Sequence, residues 1–335
     1  MILNWNQPAM TVECARTALA QEVAGGQTVL VIDNGSTPEN RVALRAKLPA
    51  ECVFLQNDRN LGFAGGMNVG IRYALKQRHD YVWLLNNDAF PEAGCLKNLV
   101  AALDGNATLG AVTPSLIYPD GTPQLIGGSV NWATGELSFL MSGQLPTPTP
   151  PGYYATGAAL LLRAAALHQV GDFDTRFFAY WEEVDLCVRL VRRGSWNLAE
   201  VPQSLCVHRE AVSSGGSRSA FAQHLLTRNC FLLLRKHLPW RSLVPVYLRA
   251  LAAELQRAGI AVRDNPAIAA GIIGGVASGI TRQRGRPRKL TAPGWFERLA
   301  LTHWWGIGRA LKAVANWITP RQPWPPVAAK PVGEA

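Results

Sequence analysis

No two of the six cysteines form a CxxC pair; Cys14, Cys52, Cys95, Cys187, Cys206 and Cys230 are scattered, mostly in apolar surroundings. That absence argues against a zinc ribbon or a disulfide scaffold and leaves reduced, packed thiols suited to a reducing cytosol. Long apolar runs are missing too. The longest uncharged one, Pro266 to Ile280, is short and glycine-rich, so a buried or interfacial segment is expected rather than a membrane span. MILNWNQPAM lacks a basic n-region and an apolar h-region, so no signal peptide is expected. A dinucleotide fingerprint is also lacking. Gly62, Gly65, Gly66 and Gly70 follow the third expected strand, not the first, and their spacing is wrong. Charged residues are only 17% of the 335, against 48% hydrophobic, which excludes wholesale disorder and supports one large α/β domain or two ordinary ones.

Excess positive charge is missing from most of the chain. Residues 1–240 hold 19 Lys or Arg against 19 Asp or Glu, while residues 241–335 hold 14 against 4, so the net +10 lies in the tail. Six of the eleven Trp lie there as well, counting Trp240 at its edge. Base-reading chemistry needs its positive charge beside the ligand, and the basic stretch has no reader motif, so nucleic acid is not an expected partner.

What is present begins with alternation. Ile2 to Trp5 reads as the end of a first strand, short enough that a start further upstream is expected. A helix follows through Val12 and Val23, then a strand over Thr28 to Ile32 with a turn from Asp33 to Ser36. A helix over Pro38 to Leu48 and a strand over Cys52 to Leu55 come next, then a glycine-rich loop from Asn60 to Gly70 that opens a helix. Tyr81 to Leu85 is an unbroken apolar run, read as a buried parallel strand, with Asn86, Asn87 and Asp88 just past its carboxyl end. That edge is where open α/β sheets bind ligands, and a carboxylate there can hold a divalent cation and, through it, a diphosphate. A polar turn capping a helix near Pro91 fits the same residues.

From Gly110 the pattern changes to strands and hairpins, with turns at Pro119 to Gly121 and Ala133 to Gly135, a loop over Leu145 to Gly152, and a strand over Tyr154 to Leu162. GDFDTRFFAYWEEVDLCVRLVRRG then supplies a helix ended by Gly194, with Glu182, Glu183 and Asp185 in its first turn after an aromatic run. The helix dipole favours acids there, but carboxylates against aromatic walls are also desolvated and can act as bases. Short strands are read over Ser195 to Ala199 and Gln203 to Val207, the second leading into His208, which by itself is an ordinary surface or core residue. Ser213 to Ser219 reads as a loop able to close over a substrate, and Ala220 to His237 as a helix. In the tail, Leu248, Leu251, Ala252, Leu255 and Ala258 share one helical face, and Phe296 to Ile318 suggests another helix. Between them, Thr281 to Lys289 (TRQRGRPRK) reads as peripheral contact with the anionic cytoplasmic face of a membrane, or as a basic tail that is solvated or pairs with a partner protein.

The ordered set VIDNGS, NLGFAGGMNVG, YVWLLNNDA, GDFD-x-RFF-x-YWEEVDLC and CVH followed by RNCFLLLRKHLP resembles family 2 glycosyltransferases, in the bacterial rhamnosyltransferase-like branch, over roughly residues 2–240. The resemblance implies a GT-A fold: α/β, Rossmann-like, a mostly parallel sheet with helices on both faces. It implies a catalytic domain over 1–240, with a nucleotide-sugar half to about 115 and an acceptor half beyond, and a basic helical extension over 241–335. The implied activity is inverting transfer of a sugar from a nucleotide-sugar donor, dTDP-rhamnose in this branch, to a lipid-linked or glycan acceptor. Together with the basic tail, this places the expected location at the cytoplasmic face of a bacterial membrane. Asp33, Asn34, Asn60, Gly65, Gly66, Asn68 and Asn87 would meet the donor. Asp88, His208 and Asn86 would hold Mg²⁺ or Mn²⁺. Glu183 would be the base, with Glu182 and Asp185 as competitors, and Tyr180 and Trp181 would meet the acceptor. Asn86 stands where the metal motif leads with Asp, and Glu183 where Asp is usual. A catalytically inactive assembly subunit and a glycoside hydrolase are the competing readings.

Overall fold

The computed structural model describes residues 1–210, 219–284, 286, 287, 311 and 315. The elements β1 (Ile2–Asn4), α1 (Pro8–Leu19), β2 (Leu30–Asn34), α2 (Pro38–Lys47), β3 (Val53–Asn57), α3 (Gly62–Lys76) and β4 (Tyr81–Leu85) alternate as parallel strands and crossover helices. They are followed by β5 (Ala89–Pro91), α4 (Cys95–Gly105), β6 (Leu109–Ile117), β7 (Gly127–Val130), β8 (Leu137–Leu140), β9 (Tyr153–Ala155) and β10 (Ala159–Arg163). Then come α5 (Ala164–Val170), α6 (Glu182–Arg193), β11 (Asn197–His208), α7 (Ala220–His237), α8 (Trp240–Asp264) and α9 (Pro266–Ile280).

Eight strands form the main sheet in the order β3-β2-β1-β4-β10-β6-β11-β5, with β10 and β5 antiparallel to their neighbours. A small sheet, β8-β7-β9, stands apart from it. The main sheet is buried on both faces, which is why β4 reads as a continuous apolar run. Val82 and Leu84 enter one core with α3, α6 and α7, while Trp83 and Leu85 enter the other with α1 and α4.

Several boundaries differ from expectation. Val23 lies beyond α1, and Asp33 and Asn34 belong to β2 rather than to the turn after it. The glycine-rich stretch is the start of α3, not a loop, because Gly66 and Gly70 let the helix lie directly against Leu3 and Ile32. Pro91 closes a short strand, so the helix begins at Cys95. The expected strand over 154–162 is two strands in two sheets, divided at Thr156, Gly157 and Ala158. The two short strands over 195–207 are one strand, β11, interrupted by a register shift between Val201 and Leu205.

Beyond residue 240, α8 runs antiparallel to α7, with Arg257 bonded to Gln223, Thr227 to Glu254 and Tyr247 to the Phe231 carbonyl. The helix α9 runs parallel to α7 at close range: a Cβ on Gly271, Gly275 or Gly279 would strike Ala220, His224 or Phe231 in turn. No described helix is long and apolar enough to cross a membrane. The loop read over 213–219 and the tail helix read over 296–318 lie outside the described residues, apart from Ser219, Leu311 and Ala315.

Candidate active site

The apolar run of β4 ends at Leu85, and the chain turns through Asn86 to Asp88 before β5 pairs with the end of β11, Ala89 opposite His208. Asp88 is 4% exposed, and its Oδ1 lies 3.4 Å from His208 Nε2. The other face of the ring is held by Gln124. Its Nε2 donates to the His208 carbonyl at 2.5 Å, and its Oε1 lies 2.9 Å from His208 Nδ1. A carbonyl can only accept, so the amide orientation is fixed and Nδ1 must carry the ring proton. His208 Nε2 is thereby directed at a carboxylate, and the two side chains are placed to share a cation.

Among the described residues no three His, Cys, Asp or Glu side chains converge on one point. Asp88, His208 and the half-buried Asn86 fit a hard cation that takes its remaining ligands from water and a diphosphate, as Mg²⁺ commonly does. Asn87 is directed elsewhere, donating to Gln7 Oε1 (3.0 Å) and Thr11 Oγ1 (3.2 Å).

The other residues read as donor-facing carry structural contacts. Asp33 is fully buried and accepts from Asn4 Nδ2 (2.8 Å) and Ser36 N (3.2 Å), with Arg41 Nε at 3.7 Å. Asn34 donates to Asn60 Oδ1 and the Gly62 carbonyl and accepts from Asn57 and Leu61 N. Gly65 packs on Leu61 and Gly66 on Leu3, while Asn68 clamps the Phe173 backbone through both its amide atoms, at 2.8 and 2.9 Å.

The carboxylates of α6 are reached through a strained segment. Phe178, Tyr180 and Trp181 have φ of 67°, 67° and 74°, a left-handed conformation that costs non-glycine residues roughly 1–2 kcal/mol each. The segment is held from α7. Asn229 Nδ2 donates to the carbonyls of Phe177, Ala179 and Tyr180 at 3.0, 2.8 and 2.7 Å, and Arg228 Nη2 donates to Phe177 O at 2.6 Å. Neither residue was singled out in the sequence as a site residue; the RN pair inside an apolar helix was the available signal.

Glu182 is 5% exposed and Glu183 half-buried, and each keeps one buried Oε2 without a hydrogen bond, as does the Trp181 indole N–H. Burial raises both carboxyls above their ordinary value, Glu182 furthest because the charge of Glu183 adds to it. Asp185 corrects the sequence reading. It is fully buried and bonded to Arg189 Nε (2.9 Å), Lys236 Nζ (2.7 Å) and His237 Nε2 (2.8 Å). Burial would raise its carboxyl, but the His237 hydrogen bond and the Arg189 and Lys236 charges outweigh that and hold it at about 2. A carboxylate so occupied cannot accept a substrate proton.

The two acidic stretches approach the same short segment of chain. A Cβ on Gly157 would touch Glu183 Cβ at 3.4 Å, and the next carbonyl, that of Ala158, accepts from Asn86 N at 2.8 Å. Glu183 and the start of the Asn86-to-Asp88 turn therefore lie beside the successive residues Gly157 and Ala158 at the carboxyl edge of the sheet. A cavity of about 560 Å³ opens at the opposite edge, lined by Leu30, Tyr81, Trp83 and Arg163, and holds none of the candidate residues.

Residues 1–170 match the sequence profile of Glycosyl transferase family 2. The chain is 30% identical over 240 residues to the N-acetylglucosaminyl-diphospho-decaprenol L-rhamnosyltransferase of Mycobacterium tuberculosis, covering 64% of this chain and 77% of that protein. It is 30% identical over 174 residues to the galactofuranosyltransferase GlfT1 of Mycolicibacterium smegmatis, covering 50% of this chain and 56% of that protein. Its fold is similar to that of a mannosyltransferase from Pyrobaculum calidifontis solved with GDP-Man and Mn²⁺, with a TM-score of 0.51, 16% identity and coverage of 84% and 86%. The chain belongs to glycosyltransferase family 2, in its rhamnosyltransferase-like branch, and is a glycosyltransferase with a GT-A fold.

Proposed function

We propose that this glycosyltransferase moves a sugar, rhamnose by preference, from a nucleoside diphosphate to a hydroxyl of a lipid-linked glycan, with inversion at the anomeric carbon. The observation that carries the reading is that Glu183 and the turn leading to Asp88, which faces His208, lie beside the successive residues Gly157 and Ala158. The rhamnosyl donor and lipid-linked acceptor take their support from the mycobacterial relative, whose name contains both the sugar and a diphospho-decaprenol.

Glu183 removes the proton of the acceptor hydroxyl. The freed oxygen pair attacks the anomeric carbon, and the bond from that carbon to the diphosphate breaks with its electrons leaving on the diphosphate. Burial suits Glu183 to this task by raising its proton affinity while it stays open enough to reach substrate. The unbonded Glu182 Oε2 and Trp181 indole N–H offer a hydrogen-bond acceptor and a donor to the neighbouring sugar hydroxyls. Asp88 and His208, with the Asn86 amide, would hold Mg²⁺ or Mn²⁺, which neutralises charge on the departing diphosphate. Residues 1–240 would form the catalytic unit, and the basic stretch over 281–289 would rest on an anionic membrane face.

A panel of nucleotide sugars, assayed with and without Mg²⁺ or Mn²⁺ for released nucleoside diphosphate, tests the reading. Turnover of a dTDP-sugar that disappears with chelator supports it, and no turnover of any donor with a lipid-linked acceptor present overturns it.

A further inference from the structure

At the end of the helical layer where α7 and α9 finish and α8 begins, a pocket of about 230 Å³ is lined by Arg176, Arg228, Arg235, Lys236, Arg282 and Arg284. Among the described residues no carboxylate lines it. Helix carboxyl ends favour cations, and two such ends account for about one charge between them. Asp174 lies behind the wall, paired with Arg176 and Lys236, and Asp185 takes a further share of Lys236. Arg235 spends its donors on neutral oxygens, the Tyr247 hydroxyl at 3.0 Å and the Gly279 carbonyl at 3.1 Å. A cavity of this size walled by guanidinium groups matches a tetrahedral oxyanion, which Arg binds through paired donors.

The rim indicates what carries the oxyanion. Ile280, between the pocket residues Gly279 and Arg282, is 53% exposed, and Trp240 and Val244 at the adjoining start of α8 are 75% and 59% exposed. Exposed aliphatic and indole side chains beside clustered arginines form the pattern that settles at a bilayer interface.

We propose that this pocket seats the phosphate of an anionic lipid headgroup. The inference rests on the membrane-surface reading for its occupant and gives that reading a defined seat, which a diffuse basic tail lacks.

The test uses the full chain and vesicles of phosphatidylcholine with or without phosphatidylglycerol, read by co-sedimentation. Arg176→Gln/Arg235→Gln removes two pocket charges outside the 281–289 stretch, and Lys47→Ala/Lys97→Ala removes two exposed charges elsewhere. The pocket variant should lose about fivefold in vesicle affinity for each arginine, roughly 25-fold together, while the control binds as wild type does. Equal retention of both variants overturns the pocket and leaves membrane binding by the tail standing. Failure of wild type to bind phosphatidylglycerol vesicles overturns both. Inorganic phosphate bound by wild type and lost in the pocket variant, without vesicle binding, overturns the lipid source.

Discussion

At the start of α6, Glu182 is buried and Glu183 half-buried, with one oxygen each left unbonded; Asp185, two residues on, is buried among Arg189, Lys236 and His237. Desolvation acts on all three carboxyls, and the partners decide the outcome. Without cations the glutamates hold their protons more tightly; with them Asp185 lets go at about 2. A single turn of helix thus holds both the proposed acid–base pair and a structural anchor, and the composition of that turn distinguishes neither.

If the contrast is sound, isosteric loss of charge has opposite consequences on the two sides. Glu183→Gln should lower turnover on the order of 10²–10⁴-fold, with donor affinity by calorimetry and the urea midpoint both retained. Near-normal turnover in the pure variant would remove Glu183 from the role of base. Asp185→Asn leaves Arg189 and Lys236 facing a neutral amide, and should cost about 3–5 kcal/mol of stability in urea unfolding. An unchanged midpoint would show that the network contributes nothing to the fold.

A smaller effect is expected one layer away from the reacting groups. Gln124→Leu frees the His208 ring without touching a cation ligand, so the Mn²⁺ concentration for half-activation should rise about 10–100-fold, with kcat at saturating metal retained. A half-activation unchanged by the substitution would detach Gln124 from the site.

The smallest effect lies in the pH dependence of stability. Glu182 and Glu183 are raised above their ordinary 4.5, so their contribution is complete below 4.5 and is lost as pH rises through the raised values. Asp185 is lowered from 3.8, so its contribution is complete above 3.8 and is lost as pH falls toward 2. Glu182→Gln should flatten the alkaline decline and Asp185→Asn the acid one. Parallel curves for both variants would contradict the contrast.

Much of the frame was legible because it is written locally. Tyr81 to Leu85 and Ala220 to His237 have the expected limits, the first from an apolar run and the second from the proline that follows it. Division of the 154–162 stretch was not legible, since Thr156, Gly157 and Ala158 include no proline or paired turn residue and the break is imposed by two different sheets. The inward turn of Asp185 was hidden for a related reason: Lys236 and His237 lie about fifty residues downstream, as the 51- and 52-residue separations of those bonds record. Gln124 was equally hidden, its amide reaching 84 residues along the chain to His208. Local pattern specifies elements and their exposed ends, whereas the tuning of a site depends on neighbours that only folding supplies.

The bridge at Thr156 to Ala158 has one further consequence. Thr156 N bonds the Ile126 carbonyl beside the small sheet, and the Ala158 carbonyl bonds Asn86 on the large one. Gly157 under Glu183 and Ala158 beside Asn86 are successive residues, so their Cα atoms stay about 3.8 Å apart whatever the two sheets do. Movement of one sheet against the other therefore cannot part the residue under Glu183 from the residue beside Asn86, because covalent bonds set that spacing.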